Sequence, residues 1–241
     1  MDNHLTYETE MAEESRRWKL KVLRKPSLLE RTSKKAQVRI NQFIPEKVHE
    51  TITESIKKMV QATLVGSNLT TLPKKIEDLT FLEREQLVKK SIETYKKTAA
   101  VEGASTGAGG IFLALADFPL FLSIKMKFLF EVASIYGYST KEYEERLFLL
   151  YVFQLAFSGE KHKAELLELV EHWETKKHEV KDLDWRVFQQ EYRDYIDIVK
   201  LMQILPGIGA VVGGVANYHL VQQLGDCAMN CYRLRIFSTP K

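Results

Sequence analysis

Cysteine occurs only twice in 241 residues, at Cys227 and Cys231, which excludes a disulfide framework and fits a reducing compartment. The two fall four apart on one helix face with no further ligands at metal spacing, so they read as small packing residues and no metal site is expected. Histidine occurs six times, but without the spacing of a metal site: His172 and His178 are six apart and there is no H-E-x-x-H, so a zincin is not indicated. No stretch alternates apolar and polar residues with period two, which removes the sheet that nucleotide-binding and hydrolase folds require. No apolar run follows a basic cluster at the N-terminus, so a secretory leader is not expected.

What is present is charge, unevenly placed. The formal net charge is only +3, yet residues 1–15 carry five acids and no Lys or Arg. From Arg16 to Lys47 eleven basic residues face only Glu30 and Glu46. Within the run R-R-W-K-L-K-V-L-R-K, cations alternate with Trp18, Leu20, Val22 and Leu23. This is the composition of an amphipathic helix that lies on anionic lipid, with Arg16, Arg17, Trp18, Lys19, Lys21, Arg24 and Lys25 at the membrane surface. A solvated helix with one sticky face is the equal alternative. No reading helix or RNA-binding aromatic motif accompanies the basic run, so nucleic acid is not an expected partner.

Helical periodicity dominates the rest. Residues 6–25, about 44–66, 77–100, 118–136, 161–177, 185–205 and 208–235 read as helices. Gly66 and Gly137 stand where C-terminal stops belong, and Ser139 with Glu142 predicts a capping box for a further helix through the apolar run 147–157. The segment 66–73 is the best linker. It divides residues 1–70, a charged amphipathic N-terminal helical region, from residues 71–241, a helical bundle.

That bundle contains two apolar, glycine-rich stretches. In the first, residues 102–124, Gly103 and Gly107 are four apart and Gly110 follows; in the second, residues 205–220, Gly209 and Gly213 repeat the spacing. Stripping side chains from one helix face lets another backbone approach closely, which offsets the roughly 1 kcal/mol that each interior glycine costs a helix. Gly103 to Ala116 would give about 21 Å of uncharged helix, short of a hydrocarbon core. Gly207 to Gly225 is nominally long enough, but Asn217, His219, Gln222 and Gln223 occupy its second half. The polar groups embedded in these stretches, Glu102, Asp117, Asn217 and His219, with Arg235 beyond them, are the candidate site. Their structural reading is helix capping by Asp117 and pairing of the others with Arg233 or Arg235.

Two motifs tempt a catalytic reading. G-A-S-T-G, residues 103–107, matches the serine-hydrolase elbow, but that elbow needs a strand before it, and the residues before Gly103 are helical. G-I-G-A-V-V-G, residues 207–213, lacks the preceding strand of a dinucleotide site, and no phosphate-loop lysine follows Gly110, so no nucleotide and no cofactor are expected.

The set A-V-E-G-A-S-T-G-A-G-G, then A-D-F-P, Y-G, L-P-G-I-G-A-V-V-G-G-V-A-N and R-L-R-I-F, resembles the EcsC family over roughly residues 72–237. The resemblance puts weight on Glu102, Gly103, Gly107, Gly110, Asp117, Gly209, Gly213, Asn217 and Arg235, and implies association with an ABC transporter's ATP-binding and membrane subunits. It carries no established catalytic role. The expectation is thus an all-α, glycine-packed multi-helix bundle with amphipathic basic N-terminal helices, attached to the cytoplasmic face of the membrane as an accessory that binds lipid or the transporter's membrane subunit. A membrane-associated hydrolase with Glu102, Asp117, His219 or Ser105 between the glycine-rich helices is the competing class, and a soluble interaction module is the third.

Overall fold

The computed structural model describes residues 2–24, 46–66, 76–108, 118–180, 188 and 209–238. These contain eight helices and no strand: α1 (Asp2–Leu23), α2 (Glu46–Val65), α3 (Phe81–Ala108), α4 (Phe118–Tyr136), α5 (Tyr143–Phe157), α6 (Glu160–Glu171), α7 (Trp173–Lys176) and α8 (Gly209–Ser238). The all-α expectation therefore holds among the described residues. The expected helix over 185–205 lies outside them except for Phe188, which is buried and stacks on Phe153.

The last helix is the axis. At 30 residues α8 is about 45 Å long, and it packs against α1, α3, α4, α5 and α6. Its pairing with α3 is the most extensive in the fold and runs antiparallel: Glu85 meets Arg233, Ile92 meets Gly225, and Gly103 meets Gly213. Antiparallel α4 lies beside α3, as Arg84 donates to the Tyr136 carbonyl oxygen (3.0 Å) while Tyr95 packs on Phe128 (5.2 Å between centroids). Along the other side of α8, α5 runs antiparallel, from Glu145 opposite Tyr232 to Ala156 opposite Gln223. The apolar run of α5 is buried from Leu147 to Phe157, as a helix apolar nearly all round must be.

Helix ends follow local chemistry. Gly66 (φ +73°) and Gly137 (φ +94°) end α2 and α4 in the left-handed region that favours glycine. A full capping box opens α3: the Thr80 hydroxyl and backbone N–H donate to Glu83 Oε2 (2.7 and 2.8 Å), and the Glu83 N–H donates back to Thr80 Oγ1 (3.3 Å). This T-F-L-E box is the reason the helix begins at Phe81 rather than Glu77. The capping box expected at Ser139 and Glu142 does not form. There α5 begins at Tyr143 without a side-chain cap, because residues 139–142 make a turn whose carbonyls at Thr140 and Lys141 accept from Arg146 (3.1 and 2.5 Å). The single helix expected over 161–177 is two, broken at His172 (φ −102°, ψ 27°), with Trp173 fully buried just beyond the break.

Candidate functional site

Where α3 meets α8 the two backbones are in contact. A Cβ at Gly103 would collide with the Gly213 carbonyl oxygen and lie 2.5 Å from Asn217 Nδ2; one at Gly214 would lie 3.1 Å from the Ala100 carbonyl oxygen. At that contact Asn217 Nδ2 donates to Glu102 Oε2 at 2.6 Å. A carboxylate can only accept, so the amide nitrogen must face it. Asn217 Oδ1 is buried and has no donor among the described residues. Two of the sequence candidates, 115 residues apart, are thus one pair.

The remaining candidates do not join them. His219 is exposed on α8 and lines a separate cavity of about 410 Å³ with Trp18, Asp226 and Cys227. Arg235 lies some five turns further along α8. Gly107 and Gly209 lie within α3 and α8, while Gly110, Asp117 and Lys25 lie outside the described residues. Ser105 sits inside α3 and its hydroxyl donates to the Glu102 carbonyl oxygen (2.7 Å), so G-A-S-T-G is helix and no strand delivers a nucleophile. Among the described residues no group of His, Cys, Asp and Glu could hold a metal ion. Cys227 and Cys231 are free and buried, with Sγ atoms 3.8 Å apart.

Far from the glycine contact, α8 carries two buried charge centres that periodicity does not announce. Arg233 donates through Nε and Nη2 to Glu85 (3.0 and 2.5 Å), and through Nη1 to Glu14 (3.0 Å), tying α1 and α3 to α8. Tyr136 donates to the same Glu85 at 2.6 Å. Two residues on, Arg235 donates to Glu145 (2.6 Å) and to Glu174 (2.7 Å), while its guanidinium lies 3.9 Å over the Tyr138 ring. Tyr232 donates to Glu145 at 2.5 Å. Burial holds the Tyr136 and Tyr232 phenols well above their ordinary range, which keeps them protonated donors. Thus the expected structural partners Arg233 and Arg235 serve Glu85, Glu145 and Glu174 rather than Glu102. One cue was available: R-L-R interrupts a helix with no other cation, and buried arginines require carboxylates.

The glycine-contact end is also where apolar side chains reach solvent. Val101 (72% exposed), Leu120 (52%) and Val215 (53%) belong to α3, α4 and α8 at the same level of the antiparallel register. Leu20 and Leu23 of α1 are exposed as well, and α1 runs toward this end, since Glu14 meets Arg233 while Trp18 and Val22 line the cavity beside His219. Of the basic run, Trp18 packs on the core, Lys19 pairs with Glu171, Arg17 pairs with Glu13 (3.0 Å), and Arg16, Lys21 and Arg24 are exposed. No described helix is long and apolar enough to cross a membrane.

The sequence matches the EcsC protein family model over residues 9–237. It is 56% identical over 226 residues to Protein EcsC of Bacillus subtilis (strain 168), covering 94% of each chain. Uncharacterized protein YdbA of the same organism is 35% identical over 141 residues, 57% of this chain and 52% of that one. No solved structure matches. Since the match spans both glycine-rich stretches and the helices on either side, the chain belongs to the EcsC family.

Proposed function

We propose that this protein is a membrane-surface accessory: its glycine-contact end and the cations of α1 meet an anionic lipid surface at the cytoplasmic face, and an ABC transporter's membrane subunit is its protein partner. The observation that carries the lipid reading is the clustering of exposed apolar side chains. Of seven large hydrophobics exposed in the described structure, Val101, Leu120 and Val215 lie at the glycine-contact end. Leu20 and Leu23 lie on the last turns of α1, which approach it along the middle of α8, and Val65 and Tyr143 lie toward the other end. Scattered single apolar residues are normal on a surface; a cluster flanked by cations is an interaction face. Each cation near an anionic bilayer contributes about 1 kcal/mol, so Arg16, Lys21 and Arg24 alone would hold the protein weakly and need the apolar contact as a second signal. The transporter partner comes from the family resemblance.

Flotation with phosphatidylglycerol-containing vesicles tests the lipid reading, paired with salt and then alkaline carbonate washes of cell membranes. The protein is expected to float with anionic vesicles and to be largely released by salt, since such contacts are screened. Absence from anionic vesicles and from washed membranes alike would sink the reading.

A further inference from the structure

Between α3 and α4 runs a groove of about 490 Å³, within the range of small-ligand sites. From α3 it takes Leu87, Lys90, Ser91 and Tyr95, at the three- and four-residue spacing of one helix face; from α4 it takes Ile124, Lys127 and Glu131. Ser91 is the residue that does not fit a merely structural face. Elsewhere the hydroxyls of Ser55, Thr63, Thr94, Thr98 and Ser123 each turn back to the carbonyl four residues earlier, at 2.8 to 3.1 Å. That of Ser91 makes no hydrogen bond among the described residues, although the residue is 95% buried and lines the groove. Buried polar groups are rarely left unpaired.

Two cations and one carboxylate, Glu131, line the groove with it. Lys90 and Lys127 are exposed on the two walls, and neither forms an ion pair among the described residues. Glu93 is paired with Lys96 (2.6 Å), while Glu131 accepts from the Tyr95 hydroxyl (3.1 Å), which holds its carboxylate in place, so the two lysines leave the groove net positive by one. Two ammonium groups and a hydroxyl donor with no other employment suit a tetrahedral oxyanion. Leu87, Ile124 and the Tyr95 ring add an apolar wall, and Ile124 lies one turn from exposed Leu120 at the apolar end.

From this placement we infer that the α3–α4 groove holds the phosphate headgroup of a single anionic lipid, bound by Lys90, Lys127 and Ser91, with its acyl portion directed toward the apolar end. The inference rests on the membrane reading above and names the ligand that reading leaves open. The same phosphate chemistry occurs in soluble esters, and the apolar wall is what favours the lipid.

The test is a titration of the full chain, without vesicles, with dihexanoyl phosphatidic acid below its micellar concentration, alongside dihexanoyl phosphatidylcholine and glycerol 3-phosphate. Phosphatidic acid is expected to bind saturably, with the other two at least about tenfold weaker. The double variant K90Q/K127Q, which removes only exposed unpaired charges and should keep the wild-type melting temperature, is expected to lose about tenfold or more in affinity. Restoring charge with K90R/K127R should recover most of it. No saturable binding, or binding that K90Q/K127Q leaves unchanged, overturns the site; glycerol 3-phosphate binding as tightly as the lipid overturns the lipid assignment. Vesicle flotation that survives while the titration fails removes this inference alone, and a normal titration with no flotation removes the membrane reading.

Discussion

Tyr136 and Tyr232 stack with ring centroids 4.9 Å apart and planes 23° apart, and each donates its hydroxyl to a different buried glutamate, Glu85 and Glu145. Each glutamate also accepts from an arginine of α8, Arg233 or Arg235. Two Tyr–Glu–Arg centres therefore sit back to back, joined by the ring stack, and clamp α3, α4, α5 and α7 to the last helix. This is a fixed end. The apolar, glycine-contact end lies at the other extreme of α8, so the helix separates a polar anchor from the proposed docking face.

The first prediction concerns the anchor. Glu85 and Arg233 are almost wholly excluded from water, and breaking such a pair leaves one uncompensated buried charge, which costs about 3–5 kcal/mol. E85Q and R233M are each expected to lower stability by that order in chemical denaturation. The double variant E85Q/R233M should be less destabilised than the sum of the singles, since no lone charge remains. Strict additivity would mean that the two residues do not act as a pair.

Glu174 gives a pH-dependent prediction. Burial pushes its carboxyl up, but Lys177 at 2.6 Å and the Arg235 guanidinium outweigh it and hold the group below its ordinary 4.5. A carboxyl lowered in the folded state contributes stability that is present above the unfolded value and lost as pH falls through the folded one. E174Q should therefore melt lower than wild type at neutral pH, with the gap closing as the pH drops below 4.5. A gap constant from neutral pH to pH 3 would show that the loss is one of packing.

Glycine substitutions should rank by what the new methyl meets. At Gly103 it meets the Gly213 carbonyl and Asn217, which belong to a facing backbone and a buried side chain and cannot easily yield. At Gly225 it meets Ile92 Cγ1 and Cδ1 at 2.7 and 2.9 Å, a side chain rather than a backbone, of which Cδ1 can swing away while Cγ1 is held by the stiff branched Cβ. Overpacking costs typically about 1–3 kcal/mol, with G103A expected at or beyond the top of that range and G225A below it. I92A, which removes all three contacting atoms, should cost less in the G225A background than in the wild type. Gly159, with nothing within 4 Å of its would-be Cβ, is the neutral control. Equal melting temperatures for G103A and G159A would refute the close approach.

How far these features were legible in the sequence depends on what sets each one. Helix identity was readable because 3.6-residue periodicity and glycine stops are local, and Gly66 and Gly137 end helices where expected. The α3 cap is equally local, as T-F-L-E, whereas the matching Ser139 and Glu142 pair does not cap a helix because Arg146 satisfies the turn there instead. Glu102 and Asn217 stand out in the sequence as polar groups in apolar surroundings; their mutual bond depends on the α3–α8 register, which no local pattern encodes. Glu85, inside the charged run F-L-E-R-E-Q, reads like a solvated residue, and only the arrival of Arg233 from 148 positions away makes its burial tolerable. The groove beside Ser91 is likewise a product of two helices meeting.

The last prediction separates the two forces proposed to hold α1 on a membrane. Arg16, Lys21 and Arg24 act through a screened field with a reach of about 10 Å at 0.1 M salt, whereas Leu20 and Leu23 act by removing apolar surface from water, which salt does not weaken. R16Q/K21Q/R24Q should bind anionic vesicles more weakly at low salt, and what binding remains should change little as salt is raised. L20S/L23S should keep the steep salt dependence of the wild type at an affinity about tenfold lower. All five side chains are exposed, so neither variant should shift the melting temperature, and a lost signal reads as lost binding. If both variants bind like wild type while deletion of residues 2–24 also leaves flotation intact, attachment lies elsewhere, and Val101, Leu120 and Val215 become the face to substitute next.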